Sequence, residues 1–199
     1  MATFPKTIRL KGGDELTLRP CEAADEKALL EFFAERVPAS DRRFLKDDVT
    51  DPAVVKRWVS HIDLSRIFPL LALHGDQVVG DATLHMNPVG WSKHVAEIRV
   101  VVAKDWQRKG IAQALTTELI SLAHDKGLDI LEAHVLEGQH AAQRALEAMG
   151  FHPETVLRNR AKDQTGRKRN ILVMTNDVSE LWRKMEQMVT DMGPLSGQY

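Results

Sequence analysis

Apolar and polar positions along the chain follow two periods, and the changes of period divide it into strands and helices. Residues 7–19 alternate with period two around a Gly12-Gly13-Asp14 turn, which predicts a β-hairpin or one strand with a bent lead-in. Helical spacing follows in residues 22–37 and again in residues 52–62, after the capping Asp51 and a proline. Three further strands are predicted at residues 68–73, 77–86 and 95–103.

The second half continues the alternation of helices and strands. Helices are predicted at residues 108–126, where Gly127 supplies the C-terminal stop, and at residues 139–149. Strands are predicted at residues 128–136, 154–161 and 170–174. A last helix, residues 181–192, carries a Leu/Met stripe that must be covered by its own domain or by a second copy of the chain. This order predicts an α/β (α+β) fold, with helices covering a mixed sheet.

Composition narrows the possible classes of function. The 199 residues suffice for one good core, and a net charge of −1 gives no general attraction to nucleic acid or to an anionic membrane. Because no apolar run approaches the length of a membrane span and the N-terminus lacks an apolar signal segment, a cytoplasmic protein is expected. A single cysteine, Cys21, excludes an internal disulfide and a cysteine-based zinc site, and no metal site is predicted.

One turn offers candidate chemistry. Gln107-Arg108-Lys109-Gly110-Ile111-Ala112 follows the strand that ends in three valines and leads into a helix. The first turn of a helix presents unpaired N–H groups and the positive end of the helix dipole, so this turn is a candidate phosphate site. The alternative is an ordinary glycine-containing turn before a helix.

The turn resembles the R/Q-x-x-G-x-G/A acyl-CoA motif of the GCN5-related N-acetyltransferase (GNAT) superfamily. Residues 145–151, which end in Gly-Phe, resemble a helix end of the same superfamily, and the element order matches from about Ile8 to Thr175. The resemblance implies a GNAT domain over residues 7–176, with a mixed, splayed sheet of about six to seven strands flanked by four helices. Residues 177–199 would add a C-terminal amphipathic helix and tail. A short stretch, residues 96–107, is also similar to the acetyltransferase domain of bacterial protein-lysine acetyltransferases.

The resemblance implies that acetyl-CoA is the cosubstrate and that coenzyme A is a product. Backbone groups of the valine strand would bind pantetheine, N–H groups of the turn would bind the pyrophosphate, and one amide side chain at the start of the 139–149 helix would reach pantetheine. The residues assigned in this way are Val100, Val101, Val102, Gln107, Arg108, Lys109, Gly110, Ile111, Ala112 and Gln139.

Acetyl transfer to an amine requires that the ammonium lose a proton, commonly to a carboxylate or a histidine. Glu97 is the predicted general base, because it lies in an otherwise apolar strand where burial is expected to raise its pKa. The lysine acetyltransferases that the chain resembles carry a glutamate at this place. Glu97 could instead form an ion pair with Arg99 on the same strand face. His85, on the preceding strand, is the alternative base.

One departure from the family pattern concerns the leaving thiolate. Leu146 stands where the family often has a tyrosine that donates a proton, and the only tyrosine of the chain is Tyr199. The predicted function is an N-acetyltransferase acting on a primary amine, either a protein lysine or N-terminus or a small amine. The alternative is a non-catalytic acyl-CoA-binding or regulatory module.

Few partners are expected besides the amine acceptor. The basic loop at residues 162–169 lacks the aromatic side chains that stack on bases, so nucleic acid is not expected, and neither is a membrane. A homodimer through the C-terminal helix is the other possibility raised by the Leu/Met stripe.

Overall fold

A computed structural model describes residues 3–163 and 165–191, except for the side chains of residues 185 and 188–191. The strands are β1 (Lys6–Arg9), β2 (Glu15–Pro20), β3 (Ile67–His74), β4 (Gln77–Met86), β5 (Val95–Val102), β6 (Ile130–Leu136), β7 (His152–Lys162) and β8 (Lys168–Asp177). The helices are α1 (Glu26–Glu31), α2 (Ala39–Arg42), α3 (Pro52–Ser60), α4 (Ile111–Asp125), α5 (His140–Ala148) and α6 (Val178–Asp191).

These strands form one sheet in the order β1-β2-β3-β4-β5-β6-β8-β7, in which only the β5–β6 pair is parallel. The predicted mixed sheet with helices over it is confirmed. It has eight strands rather than six to seven, because the glycine turn separates two paired strands, with Lys6 opposite Leu18. Gly13 takes a left-handed φ of +92° there, a conformation that glycine adopts without steric cost.

Helices cover both faces of the sheet, and the alternation of side chains along each strand divides the core in two. Even-numbered residues of β5 and of β4 from position 80 onward, such as Leu84 and Ile98, pack with Leu115 and Leu119 of α4. The opposite face packs beneath α1 and α3, where Phe33 and Val55 are buried. The odd-numbered residues of β5 and of β4 from position 81 onward therefore point toward α1 and α3.

The predicted helix over residues 22–37 is interrupted. A 3₁₀ turn (Ala23–Asp25) precedes α1, and a π-helical turn (Phe32–Arg36) follows it, closed by a hydrogen bond from the Val37 N–H to the Phe32 carbonyl. The wider turn places Phe32 and Phe33 side by side in the core, with ring centroids 4.9 Å apart.

The C-terminal helix packs on its own domain in the part whose side chains are described. Leu181 is buried in the main core, and Trp182 stacks on His124 of α4 with ring centroids 4.6 Å apart. The methionines predicted to extend this stripe (Met185, Met188 and Met192), like Tyr199, lie outside the described side chains. Dimerisation through this helix stays a prediction. Within residues 3–163 and 165–191, no helix has the length and apolarity to cross a membrane.

Candidate active site

The sheet opens between β5 and β6. The two strands pair only at Val95, Ala96 and Glu97, although β5 continues to Val102 and β6 to Leu136. Beyond Glu97, β5 pairs with β4 alone, so its other edge presents backbone N–H and C=O groups to the opening. This splay leaves one edge of Val100, Val101 and Val102 without a strand partner, as the family resemblance implies, and pantetheine binding there stays a prediction.

The turn after β5 lies at the end of this opening. Its backbone is left-handed at Arg108 (φ +63°) and at Gly110 (φ +91°), and α4 begins at Ile111 rather than at Arg108. Among the described residues, no backbone carbonyl accepts a hydrogen bond from the N–H groups of residues 108–112. The geometry matches that of an anion-binding helix N-terminus.

Glu97 lies at the last paired position before the splay, in a cluster of charged side chains. Arg99 donates from Nε to Glu97 Oε1 (3.0 Å) and from Nη2 to Oε2 (3.1 Å), so the ion pair considered in the sequence analysis is present. Lys46, from the loop after α2, donates from Nζ to the same Oε1 at 2.5 Å. Across the opening, His134 Nδ1 of β6 lies 3.3 Å from Lys46 Nζ and 3.7 Å from Glu97 Oε1.

A family model of the acetyltransferase (GNAT) family matches residues 28–151, more than half of the chain and the whole of this site. The chain belongs to the GNAT acetyltransferase family. Enzymes of this family use acetyl-CoA as cosubstrate. The open edge of β5 offers backbone groups suited to the pantetheine arm of acetyl-CoA, and the N–H groups of the turn are suited to its phosphates.

Similar proteins share this family. The chain is 25% identical over 149 residues to the L-amino acid N-acetyltransferase AaaT of Escherichia coli strain K12, covering 70% of this chain and 85% of the relative. Two solved structures share the fold. They are the GNAT domain of PAT from S. lividans (TM-score 0.71, 19% identity, 86% of this chain and 96% of that one) and the ribosomal-protein-alanine N-acetyltransferase of Brucella melitensis (TM-score 0.68, 24% identity, 80% and 98%).

Other residues of the predicted GNAT motif have local partners. Gln107 donates from Nε2 to the Val102 carbonyl and to Asp41, both at 3.3 Å, and so ties the turn to α2. Gln139 Oε1 accepts from the Leu136 N–H at 2.7 Å, which leaves its amide NH₂ for another acceptor. Leu146 is half-buried against the core, so the usual place of the tyrosine donor holds only hydrocarbon.

The expectation that burial would raise the pKa of Glu97 is wrong for this arrangement. Burial alone would raise it, but the hydrogen bonds from Arg99 and Lys46 outweigh that effect and lower the pKa of Glu97 to about 2. Sequence reasoning overlooked Lys46, which reaches Glu97 from 51 residues away along the chain.

His85 pairs in register with Glu97 and faces the same side of the sheet. Burial, followed by the nearby Arg99 charge, lowers the pKa of His85 to about 4, so the imidazole is neutral near pH 7. Its Nε2 lies 2.9 Å from Thr83 Oγ1. Both predicted bases therefore have lowered pKa values, and both are weak bases while the cluster is intact.

A cavity of about 490 Å³ extends from this cluster beneath α1 and α3. Apolar side chains form most of its wall, and charged side chains of the loops form its rim. Its floor is the odd-numbered face of β4 and β5, which brings one further carboxylate, Asp81, into the cavity. The sequence analysis missed Asp81, although its signal was the one used for Glu97, a single acid in an apolar strand.

Proposed function

We propose that this chain is an acetyl-CoA-dependent N-acetyltransferase that transfers acetyl to a primary amine by direct attack, with Glu97 as general base. The observation that carries the proposal is that Glu97 lies where β5 and β6 separate. It is the only acid in β5, and it borders the open edge of the strand. The acceptor cavity opens beside it, lined by Lys46, His85 and Arg99.

Lys46 supports this role because it is itself a primary amine held on Glu97. Its ammonium shows that the carboxylate and the neighbouring His134 accommodate an alkylammonium head group. In catalysis, the acceptor amine would take this place, and the exposed Lys46 loop would move aside. Glu97 would then accept a proton from the acceptor as the C–N bond forms and the C–S bond of the thioester breaks.

The coenzyme A thiolate leaves without a side-chain donor at Leu146. The proton it needs would come from water, because the side chain at the usual place of the donor is the hydrocarbon of Leu146. Backbone N–H groups on the open edge of β5 would stabilise the oxyanion of the tetrahedral intermediate.

Both classes of acceptor have relatives in the family. AaaT is named for L-amino acids, whereas the Brucella melitensis structure is named for a ribosomal-protein alanine. We propose a small amine as the acceptor of this chain, because α1 and α3 cover the cavity. A second candidate, a non-catalytic acyl-CoA-binding module, is favoured by one observation, the neutralisation of Glu97 by two cations.

The test is thiol release from acetyl-CoA across a panel of amino acids, alkylamines and lysine peptides. We expect Glu97→Gln to lower kcat by about 10²-fold or more at pH 8, while the acetyl-CoA KM stays unchanged. Glu154→Gln, which removes an exposed carboxylate on β7, is the matched control. Unchanged turnover in Glu97→Gln from pH 6 to 10 would refute the base, and acetyl-CoA binding without transfer to any amine would establish the module.

A further inference from the structure

Asp81 occupies a position that neither the fold nor the Glu97 cluster explains. It lies in the middle of β4, paired with Leu71 on one side and Val101 on the other, in the centre of the sheet. Its side chain faces α1 and forms part of the cavity floor beside the buried thiol of Cys21. Around it the wall is hydrocarbon and aromatic, contributed by Leu29, Phe33 and Trp58 among others.

Within the described part of the chain, the Asp81 carboxylate has no hydrogen-bond donor and no cation in contact, whereas Asp25 nearby is held by Arg19 at 2.7 Å. A carboxylate placed in apolar surroundings without a partner is strongly unfavourable. Burial accordingly raises the pKa of Asp81 to about 7. A partner that supplies a positive charge would remove this penalty.

The spacing between Asp81 and Glu97 sets the size of such a partner. His85 is the register partner of Glu97, and Asp81 precedes His85 by four residues on the same strand face. Four strand residues span about 13 Å, so the two carboxylates lie too far apart to contact the same nitrogen. Lys46 shows that the Glu97 end accepts an ammonium. The cavity joins that end to Asp81 between the apolar wall under α1 and α3 and a polar floor that includes His85 and Arg99.

We propose that the cavity binds a linear aliphatic acceptor with two amino groups, one placed beside Glu97 for acetylation and the other held as an ammonium by Asp81. The inference rests on the proposed function and names its class of substrate. The methylene chain would lie against Phe33 and Trp58, whose rings meet edge to face with centroids 5.9 Å apart. An apolar α-amino acid is the competing occupant, and it would place hydrocarbon against Asp81.

The reaction is balanced by groups already described. The unprotonated nitrogen attacks the thioester carbonyl carbon, the C–S bond breaks, and coenzyme A leaves as the thiolate. The proton lost from the attacking nitrogen passes to Glu97 and then to water. The distal ammonium on Asp81 is unchanged, so the product is a monoacetylated diamine that keeps one positive charge.

The experiment compares 1,8-diaminooctane with octylamine, which have the same chain length and differ only in the second amino group. Steady-state thiol release is measured for the wild type, for Asp81→Asn, and for Asp76→Asn, which removes an exposed aspartate from the turn of the same hairpin. Binding of each amine without acetyl-CoA is measured in parallel by calorimetry. L-leucine serves as the amino-acid arm.

We expect the wild type to favour the diamine over octylamine in kcat/KM by about 10- to 100-fold, the range of a charge-assisted contact. Asp81→Asn should abolish this preference by raising the KM of the diamine. Asp76→Asn should keep the wild-type preference and the wild-type KM for both amines. No preference in the wild type, an equal loss for both amines in Asp81→Asn, or a preference for leucine would overturn the inference. These outcomes leave acetyl transfer intact, whereas absence of thiol release with every amine would count against the proposed function itself.

Discussion

Replacement of Asp81 by asparagine should stabilise the free protein at neutral and alkaline pH. The substitution keeps the shape of the side chain and removes a charge that no described residue compensates. A buried group of this kind lowers the free energy of unfolding, because the charged form is better solvated in the unfolded chain.

The shift in pKa sets the size of the effect. Burial raises the pKa of Asp81 from 3.8 to about 7. A shift of this size corresponds to about 4 kcal/mol at most. Because the residue retains some exposure through the cavity, water reduces that penalty, and we expect a gain of about 2 kcal/mol in Asp81→Asn.

The sign of the shift fixes the pH window. Since the folded pKa lies above the unfolded one, the unfolded chain releases this proton first, and wild-type stability falls as pH rises from about 4 to about 7. The advantage of Asp81→Asn should therefore be small near pH 4, grow across this interval and stay constant above it. Taking the difference between the two proteins cancels the titration of groups that they share.

Urea denaturation followed by circular dichroism at several pH values between 4 and 9 measures this difference. Asp76→Asn, at the exposed turn of the same hairpin, should show no such trend. A pH-independent difference, or a loss of stability in Asp81→Asn above pH 7, would refute the conclusion that this carboxylate is buried without a partner.

Two further predictions concern the active site. Lys46→Met should raise the pKa of Glu97, because only Arg99 then opposes the effect of burial, and should increase kcat/KM for octylamine by about tenfold. Lys56→Met on α3 is the control. A decrease in kcat/KM in Lys46→Met would show that Lys46 assists the reaction. Gly110→Ala and Gly127→Ala both place a side chain at a left-handed φ, +91° and +67°, and should each cost about 1–2 kcal/mol of stability by thermal melting. Only Gly110→Ala should also raise the acetyl-CoA KM, and equal KM values in both variants would show that the turn does not bind the phosphates.

Much of the fold follows from patterns within short stretches of sequence. Alternation in β4 and β5 and the helical period of α4 place each element within a few residues of its observed bounds. The π-helical turn after α1 could not be foreseen, since its extra residue per turn is fixed by the packing of Phe32 and Phe33 against β3 and β4. Periodicity gives the face of a helix, and tertiary packing decides where the helix widens.

The site shows a similar limit. Glu97 could be singled out from the sequence because it is an acid in an apolar strand. The direction of its pKa shift could not be predicted, because that direction depends on Lys46 in a distant loop. His134 reaches the cluster only because β6 lies parallel to β5 at this point. Sequence reasoning thus identifies single residues with unusual surroundings, but the sum of their contacts requires the folded arrangement.

The pKa of Glu97 determines how the acceptor must arrive. With Lys46 and Arg99 in contact, the carboxylate has a pKa of about 2, whereas an alkylammonium has one near 10.4, so direct proton transfer costs about 11 kcal/mol. Capture of the neutral amine from solution at pH 8 costs only about 3 kcal/mol. While Lys46 stays in place, the second route prevails, and kcat/KM should then rise about tenfold per pH unit up to the pKa of the amine.

Departure of Lys46 narrows the difference between the two routes, since burial then raises the pKa of Glu97 with only one cation opposing it. A distal ammonium anchored about 13 Å away on Asp81 would help the first amino group to compete for the place of Lys46, because the second contact makes the exchange intramolecular. The two carboxylates thus act in sequence, Asp81 holding the acceptor while Glu97 exchanges one ammonium for another. A pH profile flatter for the diamine than for octylamine is the expected sign of this exchange, and identical slopes for the two amines would contradict it.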